Sequence, residues 1–153
     1  MTEADWGAVA AIWAEGIATG NATFETEPPS WAAFDATRRP EGRIVAELEG
    51  AVVGWAALSP VSTRPCYAGV AENSVYVAST ARGRGVGTAL MRALADAAVA
   101  AGIWTIQTSV FPENPASVAL HERAGFRIVG RRERIAELGG VWRDTLFLEL
   151  RLP

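Results

Sequence analysis

Residues 76–90 read YVASTARGRGVGTAL, with three glycines at alternate positions (Gly83, Gly85, Gly87) between a β-like run and the start of a helix. Arg82 and Arg84 flank the first glycine. A helix N-terminus leaves backbone N–H groups unpaired and carries partial positive charge. Glycines ahead of it let those groups close on an anion with no Cβ in the way. The segment reads as a phosphate cradle or, more plainly, as a tight strand-to-helix turn, and spacing leaves both open. Two nucleotide signatures fail. A P-loop ends in Gly-Lys-Ser/Thr, whereas Gly87-Thr88 comes without lysine. A dinucleotide fingerprint counted from Gly83 needs glycine at 88, which is threonine.

Glu72 and His121, the only histidine, are the groups that could move protons. An imidazole gives or takes a proton near neutrality. Each also has a plain reading, Glu72 as a solvated charge at a strand end and His121 as a helical packing contact. Cys66 is the only cysteine, so no internal disulfide forms, and no base stands near it at motif spacing. No His/Cys/Asp cluster has metal-ligand spacing, and no metal is expected. Arg64, in STRPCYAG, offers a guanidinium fork to an acid group or is an ordinary loop arginine.

The elements that must position these groups follow from periodicity and punctuation. Thr2 and Asp5 predict a capping box, and Trp6, Val9, Trp13 and Ile17 a helix over about 3–17. A loop follows, then a short helix stopped near Pro40. RIVAELE (43–49) and AVVGWAALS (51–59) predict an antiparallel hairpin through Glu49-Gly50, and NSVYVA (73–78) a third strand. The helix after the glycine loop ends at Gly102, and IWTIQTSVF (103–111) is a strand. Asn114-Pro115 opens a helix that Gly125 closes. FRIVGRRERI (126–135) and VWRDTLFLELRL (141–152) make a last hairpin through Gly139-Gly140. The order α-α-β-β-β-α-β-α-β-β predicts an α/β fold with a mixed central sheet, one domain over 1–153.

Composition narrows the partners. The 153 residues are 50% hydrophobic and 20% charged, enough for a proper core. A net charge of −3 argues against nonspecific nucleic-acid binding. No apolar run approaches the roughly 20 residues of a membrane span, so no membrane partner is expected. The first residues lack the basic start of a signal peptide, and a cytoplasmic location is expected.

Arg82-x-x-Gly85-x-Gly87 resembles the R/Q-x-x-G-x-G/A signature of GCN5-related N-acetyltransferases, and ENPASVALHERAGF (113–126) is similar to that family's N-x-x-S/A-x-x-L-x-x-x-x-G-F helix. Within the family, AENSVYV, LHERAGF and GGVWRD resemble the phosphinothricin acetyltransferase branch, which acts on methionine sulfone, methionine sulfoximine and related amino acids. The resemblance implies acetyl-CoA as co-substrate, a small amine acceptor and a homodimer. Its alternatives are a protein or peptide acetyltransferase and a catalytically silent acyl-CoA-binding domain. It implies Glu72 as catalytic base and His121 as the group that protonates the departing thiolate. It also places the cofactor's pyrophosphate on Arg82, Gly83, Arg84, Gly85, Val86, Gly87 and Thr88. Val75, Tyr76 and Val77 then meet the pantetheine with their backbone, joined by Asn114 and Ser117. Phe24 is implied at the acceptor, where Arg64, Asn73 and Ser74 are also expected, and Trp142 is implied at a dimer contact or pocket rim. These folds usually begin with a strand before the first helix, and here that strand is expected to be absent.

Overall fold

A computed structural model describes residues 1–153. Thr2 N–H donates to the Asp5 carboxylate at 2.6 Å, closing a single tight turn at Glu3–Asp5. That turn runs into helix α1 (Trp6–Ala18). Ser30 caps the short α2 (Trp31–Thr37) by accepting from Ala33 N–H. Strands β1 (Ile44–Leu48), β2 (Ala51–Pro60) and β3 (Val70–Val77) follow. Then come α3 (Val86–Ala100), β4 (Thr105–Val110), α4 (Pro115–Arg123), β5 (Arg127–Leu138) and β6 (Val141–Arg151). The order of elements is the one periodicity predicts.

The six strands form one sheet in the order β1-β2-β3-β4-β6-β5. All neighbours are antiparallel except β3 and β4. No strand precedes α1, and β1 pairs only with β2, so β1 is the sheet's edge on that side. β3 begins three residues before the predicted start. Residues 70–72 pair with β4, and Ala71 and Glu72 with β2 as well; alanine and glutamate carry little strand signal.

Side chains alternate between the two faces with the period of two that strands impose. Trp55, Ala57 and Tyr76 turn to one face, where Val9, Ile12 and Trp13 of α1 and Phe34 of α2 cover them. Trp55 stacks on Tyr76 with centroids 4.8 Å apart, and Arg38 lies over Phe34 at 5.3 Å. Ala56, Leu58, Ala71, Ile106 and Leu148 turn to the other face and meet Leu90, Met91 and Leu94 of α3. Gly16 has no Cβ because the Tyr76 ring lies 2.7 Å from where one would be.

β3 and β4 pair only at Val70–Thr105, Ala71–Ile106 and Glu72–Gln107. Beyond that rung β3 stays with β2 as far as Val77, and β4 stays with β6 as far as Val110. The two strands therefore part in the middle of the sheet. In an antiparallel pair every second residue turns its backbone N–H and C=O away from its partner. Past Glu72, those groups of β3 face the gap.

β5 forms the opposite edge and is almost wholly exposed. Its register with β6 shifts between Arg132 and Ala136, and Arg134 takes a left-handed φ of 49° there. Asp144 holds this bulge, accepting from Arg134 N–H at 2.8 Å and from Arg131 Nε at 2.7 Å.

Candidate active site

The gap between β3 and β4 opens onto two adjoining cavities. The larger is a groove of about 600 Å³. One wall is Val75, Tyr76 and Val77, and another is Arg82, Gly83, Gly85, Val86, Gly87 and Thr88 at the start of α3. Asn114 and Ser117 at the start of α4 complete it. The loop sequence produces this shape directly. Gly83 and Gly85 adopt left-handed φ of 73° and 80°, and a Cβ at either would meet no atom within 4 Å. Their glycine identity serves backbone conformation and leaves the approach to the N–H groups open. Gly87 is different. A Cβ there would lie 3.2 Å from Leu120, so this glycine lets α3 and α4 come close.

Asn114 uses both ends of its amide. Oδ1 accepts from Ser117 N–H at 3.2 Å as the helix cap, and Nδ2 donates to the Asn21 carbonyl at 3.1 Å. The cap thereby ties the loop after α1 to the groove. Arg84 does not line the groove, while Arg82 does.

The smaller cavity, of about 270 Å³, shares Ala22, Val75, Tyr76, Asn114 and Ser117 with the groove. Phe24, Glu72, Asn73, Ser74 and His121 all line it. Phe24 packs edge-on against Phe111, with centroids 4.7 Å apart. Glu72 is exposed and accepts from Gln107 Nε2 at 3.3 Å. By strand alternation Glu72 and Asn73 turn to opposite faces of the sheet, and only the parting of β3 from β4 gives them one cavity.

His121 is buried on the side of α3 and α4, edge-on to Phe126. Its Nδ1 lies 2.8 Å from the Ser117 carbonyl. A carbonyl only accepts, so Nδ1 carries the proton and Nε2 is the accepting nitrogen. Asn73 Nδ2 supplies the N–H to Nε2 at 3.0 Å. Burial lowers the imidazole's proton affinity below its ordinary value, and the Ser117 carbonyl offsets part of that. The ring is neutral at pH 7, with both nitrogens occupied.

Arg64 stands apart. Its guanidinium lies over Tyr67 at 5.6 Å, and it lines neither cavity. Sequence reasoning passes over Glu25, Thr108, Phe111 and Thr145, which line the smaller cavity. Glu25 stands one residue from Phe24, but nothing in β4 or β6 marks Thr108 or Thr145 apart from other strand threonines. Tyr76 borders both cavities, and burial pushes its hydroxyl up to about 12, so it stays protonated.

Residues 10–126 match the acetyltransferase (GNAT) family. An L-methionine sulfoximine/L-methionine sulfone acetyltransferase of Pseudomonas aeruginosa is 30% identical, across 97% of this chain and 90% of that protein. A GNAT superfamily phosphinothricin acetyltransferase from Sinorhizobium meliloti, solved in complex with AcCoA, is 33% identical with a TM-score of 0.88, covering 99% of this chain and 85% of that one. A ribosomal-protein-alanine N-acetyltransferase from Brucella melitensis is 31% identical with a TM-score of 0.88, covering 99% and 97%. The sheet parted between β3 and β4, the glycine cradle and these matches agree: the chain belongs to the GNAT acetyltransferase family and is an acetyl-CoA-dependent N-acetyltransferase.

Proposed function

We propose that this protein acetylates the primary amine of a small amino acid-like acceptor, of the class named for the Pseudomonas and Sinorhizobium relatives. The observation that carries this reading is the second cavity. It is about 270 Å³, adjoins the groove and has two carboxylates, Glu25 and Glu72, in its lining. A space of that size suits one amino acid, and its carboxylates suit an ammonium group.

The residues fit the co-substrate. Arg82, the open backbone of Gly83 and Gly85, and the first turn of α3 would hold the pyrophosphate. Backbone groups of Val75, Tyr76 and Val77 that face the gap would pair with the pantetheine amides as a strand would. Val86, Thr88, Asn114 and Ser117 complete the groove. Acetyl-CoA supplies the acetyl group, activated as a thioester. An N–H of β3 in the gap is placed to polarise a carbonyl oxygen.

Glu72 receives the acceptor's proton. Its carboxylate is exposed, so the proton passes through water at the cavity mouth. Gln107 orients it. His121 begins as a neutral ring whose Nε2 accepts. It takes the second proton of the attacking nitrogen after the C–N bond forms and returns that proton to the sulfur as the C–S bond breaks. Phe24 and Ser74 shape the acceptor's seat.

The test is a substrate panel with acetyl-CoA and free-thiol detection: methionine sulfoximine, methionine sulfone, phosphinothricin, the common amino acids, and peptides beginning with alanine. Turnover of the small acceptors alone supports the proposal. The Brucella neighbour's name favours a second reading, acetylation of a protein or peptide amine, which turnover of the peptides alone would support.

We further propose a homodimer built on the β5–β6 hairpin. Ile128, Val129, Ile135, Val141 and Trp142 are exposed there, Val141 at 60% and Trp142 at 51%. Such a run of large apolar side chains suits an interface. Sedimentation at working concentration decides it, a fully active monomer removing the assembly.

A further inference from the structure

Asn73 Oδ1 is buried without a hydrogen-bond partner, although the other end of the same amide is fully used. Nδ2 gives one N–H to His121 Nε2 at 3.0 Å and lies 3.7 Å from Met91 Sδ. An orphaned buried acceptor is destabilising, because it has lost its water and gained no donor. Turning the amide over would satisfy Oδ1 only if Nε2 carried a proton. The Ser117 carbonyl fixes the neutral ring's proton on Nδ1, so in the neutral state the turned amide would set oxygen against a lone pair. The observed orientation is therefore the one that matches a neutral ring, and the orphaned oxygen is what a protonated ring requires.

From this geometry we infer that Asn73 is a positioning residue with two orientations, which turns its amide from Nδ2 to Oδ1 when His121 gains a proton at Nε2. The proton enters at Nε2, the Nδ1–H bond to Ser117 is unchanged, and Nε2–H then donates to Oδ1. Turning places Oδ1 beside Nε2, and the N–H groups of Nδ2 give up Nε2 and the Met91 sulfur, the latter a weak acceptor. A buried imidazolium thus finds two acceptors, Ser117 O and Asn73 Oδ1. No other charge supplies that help. α3 presents Met91 and the segment after α4 presents Phe126, while β4 and β6 bring Thr108 and Thr145 to the shared cavity. Glu25, Glu72 and Tyr76 are the cavity's other titratable groups, and none bonds to the ring.

This inference rests on the reading of His121 as a proton carrier, but its test does not need turnover. His121 is the only histidine, so ¹⁵N NMR of histidine-labelled protein reads one ring without ambiguity. The wild-type neutral ring is expected to show a pyrrole-like Nδ1 and a pyridine-like Nε2. A pyrrole-like Nε2 overturns the proposal. Titrations of wild type, Asn73→Asp and Asn73→Leu then separate a turning amide from a fixed one. A turning amide can accept, so the His121 pKa is highest in Asn73→Asp, intermediate in wild type and lowest in Asn73→Leu. A span of at least about one pH unit, tenfold in proton affinity, is expected between the two variants. A fixed amide presents only N–H and opposes the proton, so a wild-type pKa equal to or below that of Asn73→Leu overturns the inference. If Asn73→Leu does not fold, a neutron crystal structure of wild type below its His121 pKa, which shows the amide hydrogens, serves instead. There Oδ1 faces Nε2 and Nδ2 the opposite side, or the inference fails. Should the ranking hold while Asn73→Asp and wild type acetylate equally at every pH, Asn73 still turns and His121 is not the proton carrier.

Discussion

Glu72 and Gln107 form the last rung on which β3 and β4 are paired, and the Gln107 side-chain amide donates to the Glu72 carboxylate at 3.3 Å across it. The carboxylate stands where the strands part, at the mouth of the acceptor cavity. Glu72→Gln keeps the shape and removes the proton acceptor. Turnover is expected to fall by roughly 10²–10⁴-fold, with acetyl-CoA affinity unchanged. Steady-state kinetics beside calorimetric titration of acetyl-CoA check both halves, and near wild-type turnover reduces Glu72 to a strand charge.

Gln107→Leu removes the orienting amide without touching the carboxylate. A smaller loss is expected, of roughly tenfold, the low end being set by water's ability to solvate an exposed group. An unaltered kcat would show that Glu72 needs no guide.

The cradle predicts a contrast between two glycines. Gly85→Ala forces a side chain into left-handed backbone, at a cost of roughly 1–2 kcal/mol, and acetyl-CoA affinity should drop about tenfold as the loop relaxes. Gly87→Ala leaves the loop alone and presses on Leu120, so its effect should fall on thermal stability first. Equal losses of affinity in both variants would contradict the separate duties given to these positions.

His121 makes stability depend on pH with a definite sign. Its folded-state proton affinity lies below that of the unfolded chain, whose ordinary value is about 6.5. Below that value the unfolded state binds the extra proton, so stability falls as pH drops from about 6.5 and levels off beneath the folded value. Above it the contribution is fully present. Urea midpoints between about pH 7.5 and 5 should decline in wild type, and the part due to this ring should vanish in His121→Gln.

Trp55→Ala tests the second face of the sheet. The indole is fully buried between Trp13, Phe34 and Tyr76. A loss of about 3–5 kcal/mol is expected by denaturant unfolding. Acetyl-CoA affinity should fall too, since Tyr76 lines the groove and loses its stacking partner.

Much of this fold can be read from residue types because its elements are marked locally. A continuous apolar run announces β2, the apolar stripe announces α3, and Asn114-Pro115 opens α4 at the expected residue. Glu72 and His121 can be named in advance, since each is carried by a motif. The parting of β3 from β4 cannot, because it is a relation between two strands and neither records where the other leaves. For the same reason Thr108 and Thr145 escape a reading of the sequence, and Arg64, expected at the acceptor, lies over Tyr67 instead. Asn73 is also expected at the acceptor. It lines that cavity, but its amide is committed to His121.

The parted strands carry one more consequence. Proteins guard the outer margins of their sheets with charge, bulges and short strands, because an unpaired margin recruits other chains. Here β5 has its bulge at Arg134 and its row of arginines. The margin of β3 beyond Glu72 is an interior one, and Val75, Tyr76 and Val77 there are already packed against the two cores, which leaves those positions no room for such guards. In the proposed binding mode the pantetheine of acetyl-CoA would lie along this margin, so the co-substrate would shield the centre of the sheet from strand addition as well as serve turnover.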